Sequence, residues 1–179
     1  MNSIDPNIEI PAKRIVLHPV SMEYKKNICR EFTTEVTKYM PFMPTGDITM
    51  TEEFIRNSSE ELQDETSLQL CILLKNNDNE FLGCCGLHHI DTRAIEIGLW
   101  LKKSVHGKGY GLETVEALTD WANKHFDFDY LFYPVDKENQ ASRSIPEKLG
   151  FTAIKSYTKR KSETENLNII EYRKNKNDM

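Results

Sequence analysis

The succession of periodic segments predicts a mixed α+β domain. Three strand-like runs, Leu68–Lys75, Glu80–His88 and Ala94–Lys102, follow one another across short polar links, as in an antiparallel meander. The third runs through a glycine-rich loop into a helical segment with one apolar face. The full order is strand, two helices, three strands, helix, strand, helix and two strands.

Each element has a local reason. Arg14-Ile15-Val16-Leu17-His18 alternates as a first strand and is closed by Pro19. Ser21 is placed to cap a helix through about Tyr39, which ends in the loop Met40-Pro41-Phe42-Met43-Pro44-Thr45-Gly46. Thr51-Glu52-Glu53 caps a second helix to about Leu62. Asn76-Asn77-Asp78-Asn79 and Asp91-Thr92-Arg93 supply the turns of the meander. Beyond the loop Val105–Gly111, a helix to about Phe126 carries Val115, Leu118, Ala122 and Phe126 on one face. Tyr130–Val135 reads as a strand and Asn139–Leu149 as a short helix stopped by Gly150. Phe151–Tyr157 and Asn168–Tyr172 form a last hairpin across the polar turn Lys161–Asn166.

Composition bounds the function. The 179 residues fit one domain, 1–179, with no linker, repeat or low-complexity segment, and 39% apolar content is enough for a core. A net charge of -5 argues against a nucleic-acid partner bound by phosphate neutralisation. The opening Met1-Asn2-Ser3-Ile4-Asp5-Pro6 lacks the basic start and apolar run of a signal peptide, and the apolar stretches are too short to span a bilayer. The expectation is a soluble, cytoplasmic chain without a membrane partner. Cys84-Cys85 and His88-His89 resemble a metal cluster only at first sight. On a strand Cys84 and His88 face one way and Cys85 and His89 the other, and each same-face pair is about 13 Å apart, so no metal site is predicted. Cys29, Cys71, Cys84 and Cys85 read as small buried thiols.

The chemistry concentrates in Glu96-Ile97-Gly98-Leu99-Trp100-Leu101-Lys102-Lys103-Ser104-Val105-His106-Gly107-Lys108-Gly109-Tyr110-Gly111-Leu112-Glu113. A strand feeds a loop with glycine at three alternate positions, and the loop opens a helix. Unpaired amides and the helix dipole at such a start favour a phosphate or pyrophosphate, and Lys108 adds charge. The loop lacks the Gly-Lys-Ser/Thr of a P-loop. Glycines at 107, 109 and 111 also miss the dinucleotide spacing, and no repeated βαβ pattern surrounds them.

His106-Gly107-Lys108-Gly109-Tyr110-Gly111 resembles the Arg/Gln-x-x-Gly-x-Gly/Ala junction of the GNAT acetyltransferases, apart from its first position. Glu96-Ile97-Gly98-Leu99-Trp100-Leu101, Gly107-Lys108-Gly109-Tyr110 and Glu113 are similar to the ribosomal-protein N-terminal (Rim-type) branch. A second block of that branch appears as Asn139, Ser142, Glu147, Lys148, Gly150 and Phe151. The resemblance implies a GNAT fold: a twisted, mixed, mostly antiparallel sheet flanked by helices and splayed near its middle. Ala94–Lys102 and Tyr130–Val135 would diverge with acetyl-CoA in the gap. It implies pantetheine along Trp100, Leu101 and Lys102, pyrophosphate on the amides of Gly107, Lys108, Gly109, Tyr110, Gly111 and Leu112, and a weakened contact at His106.

The activity implied is transfer of an acetyl group from acetyl-CoA, without a metal, to a primary amine. Such transfer needs a base, oxyanion donors and a proton donor for the leaving sulfur. Glu96 is the candidate base, its bland alternative being a structural ion pair. Ser142 is the candidate acid, with Asn139 holding pantetheine or a water. Pro146 stands where many relatives outside this branch carry a tyrosine, and it predicts a kink close to the site. Tyr39, Met40, Phe42 and Met43 are either acceptor-pocket walls or core, and His88 and His89 are reserve bases. Glu52, Glu53, Glu60 and Glu61 attract a cation or form a solvated helix face. The acceptor is a protein N-terminal amine or a small amine such as a polyamine, amino acid or antibiotic. A non-catalytic acyl-CoA sensor is the third reading, and a homodimer is what the resemblance implies for assembly.

Overall fold

Alternation of apolar side chains decides which segments enter the sheet and which way each faces. In the computed structural model, which describes residues 4–75 and 78–178, eight strands form one sheet. They are β1 (Ile10–Pro11), β2 (Ile15–Pro19), β3 (Ser67–Leu74), β4 (Phe81–His88), β5 (Ala94–Leu101), β6 (Tyr130–Asp136), β7 (Thr152–Arg160) and β8 (Asn166–Asn175). The order is β1-β2-β3-β4-β5-β6-β8-β7. Four α-helices accompany them among the described residues: α1 (Lys25–Glu31), α2 (Ile48–Gln63), α3 (Tyr110–His125) and α4 (Gln140–Lys148). Met1-Asn2-Ser3 and the Asn76-Asn77 half of the expected turn lie outside the described residues.

The meander is present as β3-β4-β5, all antiparallel. β5 and β6 form the parallel pair, and they pair only over Ala94↔Tyr130, Ile95↔Leu131 and Glu96↔Phe132. Both strands then run on without a shared ladder, to Leu101 and Asp136. The sheet therefore splays immediately past Glu96.

The two faces carry separate apolar clusters. On one, Val115, Leu118 and Ala122 of α3 and Phe126 just beyond its end pack with Ile95, Ile97, Leu131 and Tyr133. On the other, Ile28 of α1 and Ile55 of α2 pack with Val16, Cys71, Leu73, Phe81 and Cys84, with Trp100 against them. Cys84 and Cys85 fall into different clusters, as the strand period requires. Cys71, Cys84 and Cys85 are buried free thiols, whereas Cys29 is half-buried.

Several boundaries differ from expectation. The helix expected from Ser21 to Tyr39 is a 3-10 turn, Met22–Tyr24, then α1, which stops at Glu31. Thr33 Oγ1 accepts from the Val36 amide at 3.3 Å, and this β-branched stretch turns instead of continuing the helix. α2 begins before Thr51: Asp47 is its N-cap, with Oδ1 accepting from Thr49 N at 2.8 Å. The first strand extends through Pro19 and gains β1 as an edge partner, and the last hairpin is longer than expected at both strands. α4 runs through Pro146 as one helix, and Gly150 follows it with φ +78° as the expected stop. No helix among the described residues is long and apolar enough to cross a membrane.

Candidate active site

β5 sets the geometry of the site. In an antiparallel ladder, successive residues turn their N–H and C=O groups to opposite edges. Lys102 N donates to Leu82 O at 2.7 Å, so the even-numbered residues Gly98, Trp100 and Lys102 give their backbones to the β4 side. Ile97, Leu99 and Leu101 present theirs to the gap, where β6 has diverged. Of the three residues expected to offer backbone bonds there, Leu101 alone does so. Its carbonyl already accepts from His106 Nε2 at 2.8 Å. His106 thus folds back onto the end of the strand and closes its gap-facing edge.

A cavity of about 780 Å³ runs through the gap. Its lining includes Ile97, Leu99, Tyr133, Asn139 and Ser142 from the α3–α4 side. It also includes Gln69, His88, Glu96, Gly98 and Trp100 from the α1–α2 side. Glu96 and His88 are cross-strand partners on β5 and β4. Glu96 makes no hydrogen bond or ion pair among the described residues. Burial raises its carboxyl above the ordinary value, against the opposing pull of the nearby Lys159 and His89 charges. A structural ion pair would have done the reverse. Burial also holds His88 down, to about 4, with His89 adding to the effect. Its Nδ1 lies 3.3 Å from Gln69 Nε2. With the Gln69 amide donating, His88 is the neutral Nε2–H tautomer. Beside this pair, Gly86 and Gly98 face each other across the ladder and hollow the floor. A Cβ on Gly98 would stand 3.3 Å from His88 Nε2.

The opposite wall comes from β6 and α4. Asn139 is the N-cap of α4, its Oδ1 accepting from Ser142 N at 3.2 Å, so its Nδ2 is the group left to donate to a ligand. Ser142 Oγ does not bond back to its own helix. It lies 2.8 Å from the hydroxyl of Tyr133, a side chain only 3% exposed. Burial pushes the Tyr133 phenol up to about 12, with the Ser142 hydrogen bond opposing.

At the far end of β5 the loop is exposed from His106 to Gly109. Gly107 and Gly109 have φ +74° and +82°, so both occupy the left-handed region that favours glycine. Gly109 is the N-cap of α3, and the first helical bond runs from Glu113 N to Gly109 O at 3.2 Å. The Tyr110, Gly111 and Leu112 amides consequently have no helical partner. Gly111 serves a different need: a Cβ there would meet Ile145 Cδ1 at 3.0 Å, so its role is close packing of α3 on α4. Glu113 accepts from the Arg14 amide and from Arg14 Nε, while Arg14 Nη1 donates to Lys108 O at 3.0 Å. Its guanidinium lies 4.4 Å from the centroid of the Tyr110 ring. Exposed positive-φ glycines, free first-turn amides and an open strand edge leading into a cavity fit a pantetheine-linked pyrophosphate.

The chain matches the Acetyltransferase (GNAT) domain family over residues 14–152. It belongs to the GNAT acetyltransferases. This GNAT chain is 28% identical over 142 residues to the uncharacterized N-acetyltransferase p20 of Bacillus licheniformis, which covers 78% of this chain and 79% of that protein. Among solved structures it resembles the Salmonella typhimurium acetyl transferase that modifies the N-terminal serine of 50S ribosomal subunit protein L7/L12. That likeness has a TM-score of 0.81 and 16% identity over 94% of this chain and 99% of the other. Mycobacterium smegmatis RimJ, in complex with CoA-disulfide, gives a TM-score of 0.84 and 17% identity over 95% and 88%. At these identities the likeness establishes the shared fold. The enzymes of this family use acetyl-CoA, and the Rim-type neighbours include coenzyme A complexes.

Within this GNAT site the cavity gathers Glu96, His88, Trp100, Asn139, Ser142, Tyr39, Phe42 and Met43. Phe42 and Met43 are 61% and 56% exposed, so they form a rim rather than core. Leu101, Lys102 and the segment from His106 to Leu112 lie outside the cavity lining, along the strand end and loop beyond it. Lys102 gives its ammonium to Glu80. Glu53 and Glu61 reach the lining, whereas Glu52 pairs with Lys25 at 2.6 Å. His89, with φ +60°, leaves the strand at its end. Nothing in the sequence marks Tyr133 or Gln69, since an aromatic and a glutamine inside strands carry no signal until the register is known. Among the described residues no three His, Cys, Asp or Glu gather as a metal site.

Proposed function

We propose that this GNAT enzyme transfers an acetyl group from acetyl-CoA to a protein N-terminal amine. The observation that carries the reading is the unpaired Glu96 carboxylate facing, through one cavity at the splay, the Ser142 hydroxyl on the other side. Acetyl-CoA supplies the activated thioester when bound, held by the gap-facing backbone of Ile97 and Leu99, the first-turn amides of Tyr110, Gly111 and Leu112, and Lys108. Glu96 takes the proton from the acceptor amine, directly or through water. Its raised pKa brings it closer to the amine's own range than an exposed carboxylate would be. Gap-facing N–H groups of β5 donate to the developing oxyanion. Ser142 O–H donates toward the departing sulfur. His88, neutral with Nδ1 engaged, acts as a hydrogen-bond donor and not as the base.

A protein acceptor is supported by the mouth. Phe42, Met43 and Met50 stand exposed around it, and an open apolar rim suits a chain that continues outward from its amine. The RimL-type neighbour acts on a protein N-terminal serine. The test is acceptor-dependent release of CoA thiol from acetyl-CoA, with peptides bearing Ser, Ala or Met at the N-terminus against polyamines, amino acids and aminoglycosides. Release with peptides supports the reading. Release with small amines alone replaces the acceptor, and tight acetyl-CoA binding without any release favours a sensor.

A further inference from the structure

We propose that Tyr133 is a positioning residue of the transfer site, its phenol donating to Ser142 Oγ and thereby turning the serine proton toward the cavity. The inference rests on the acetyltransferase reading of the site. Tyr133 projects from β6, past the point where that strand has left β5, and meets Ser142 in the first turn of α4. The two oxygens are 2.8 Å apart, and Ser142 is the hydrogen-bond partner of the phenol among the described residues.

Distance alone does not assign the donor, but burial does. Tyr133 is almost wholly buried and Ser142 is its hydroxyl's partner among the described residues, so a phenol proton turned into the surrounding packing would be left unpaired at a cost. Ser142 lines the cavity, where water or a ligand can accept its proton. The arrangement Tyr133 O–H to Ser142 Oγ, with Ser142 O–H to the cavity, satisfies both hydroxyls and gives the outward proton to the more exposed of the two residues. The serine oxygen receives one hydrogen bond and gives one, which polarises the bond it gives. During transfer the amine nitrogen–carbon bond forms and the carbon–sulfur bond breaks with its electron pair on sulfur. Glu96 takes the surplus proton from nitrogen. Tyr133 keeps its own proton throughout.

The decisive variant is Tyr133→Phe, which removes one oxygen and keeps the ring. Acetyl-CoA affinity by calorimetry and both KM values should stay within about twofold, while kcat falls about tenfold. In a Ser142→Ala background the same change should lower kcat by less than about twofold, because the phenol then has nothing to orient. A full wild-type kcat for Tyr133→Phe, or an equal loss in the Ser142→Ala background, overturns the positioning role. Tyrosine labelled at Cζ gives a readout independent of turnover and of any Tyr133 variant: the Tyr133 resonance should move on Ser142→Ala, and an unmoved resonance overturns the hydrogen bond. A wild type that binds acetyl-CoA but releases no thiol with any amine would remove the enzyme reading itself. An active wild type beside an unimpaired Tyr133→Phe removes this inference alone.

Discussion

Replacing Glu113 should loosen the loop proposed to cradle the pyrophosphate without touching the acceptor side. Its carboxylate ties the start of β2 to the first turn of α3, and Arg14 carries the tie onward to Lys108 O and the Tyr110 ring. Burial alone would raise the Glu113 carboxyl, but the Arg14 hydrogen bonds and charge outweigh it and leave the pKa lowered. Two charge-assisted hydrogen bonds would be worth about 1.5–3 kcal/mol each if fully buried. The Arg14 side chain is 42% exposed, so water recovers much of that, and Glu113→Ala should cost about 2 kcal/mol in all. For a chain of this size that is a melting-point drop of roughly 4–8 °C. Glu113→Gln keeps an acceptor but loses the charge, and should fall about half as far. A loop no longer held in its binding conformation loses about 1 kcal/mol of preorganisation, so KM for acetyl-CoA should rise about fivefold at unchanged acceptor KM. Arg14→Met should reproduce that rise, and the double variant should add little to it. Steady-state kinetics with each substrate varied, beside thermal melts, separate the two effects. A lowered melting point with an unchanged acetyl-CoA KM would refute the link between this ion pair and the cradle.

Three other outcomes follow from the site. Glu96→Gln should lower kcat/KM by at least about a hundredfold. In the wild type, kcat/KM should climb as pH rises through the raised Glu96 pKa, and the variant should lose that limb. The stability sign is opposite: the folded state holds the Glu96 proton more tightly than the unfolded chain, so stability is lost as pH rises through the raised value, and Glu96→Gln should melt above wild type at neutral pH. Gly98→Ala should raise the acceptor KM several-fold with acetyl-CoA binding intact, since the new methyl stands 3.3 Å from His88 Nε2 on the cavity floor. Lys161→Met should also raise the acceptor KM alone. The Lys161 side chain, 6% exposed, donates to Lys38 O at 2.6 Å and ties the β7–β8 tip to the cavity wall at Tyr39.

What could be read from the sequence was local, and what escaped was register. The buried face of α3 followed from four apolar residues at helical spacing, and all four are buried. The meander followed from its turns. The splay between β5 and β6 came from resemblance, because nothing in either strand states where their pairing stops. The first helix stops short of Tyr39 because a cap and a following loop do not register the β-branched Thr33-Thr34 and Val36-Thr37 steps, where side-chain bonding competes with the helix. The cap of α2 is Asp47 and not Thr51, because the helix starts a turn earlier, at Ile48. At the site, Glu96, Asn139 and Ser142 were visible as members of motifs. Tyr133 beside Ser142, Gln69 beside His88 and the facing pair Gly86 and Gly98 exist only once strands and helix are assembled.

The period of two along β5 divides the labour of this site. Each odd-numbered residue past Glu96 sends its side chain into the α3–α4 core and its N–H and C=O into the gap. Each even-numbered residue secures the strand to β4 by its backbone and sends its side chain, or the lack of one, toward the α1–α2 side. Glu96, Gly98 and Trp100 can therefore vary the chemistry and shape on the α1–α2 side of the cavity while the gap-facing backbone of Ile97, Leu99 and Leu101 stays fixed. The converse is harder, since a change at Leu99 or Leu101 disturbs the packing around Gly111 and Ile145, and through Ile145 the helix that carries Ser142. Acceptor preference in this chain should accordingly respond to even-numbered positions of β5 and to the rim at Phe42, Met43 and Met50, with acetyl-CoA affinity nearly unaffected. Substitutions at odd positions should lower acetyl-CoA affinity and turnover together.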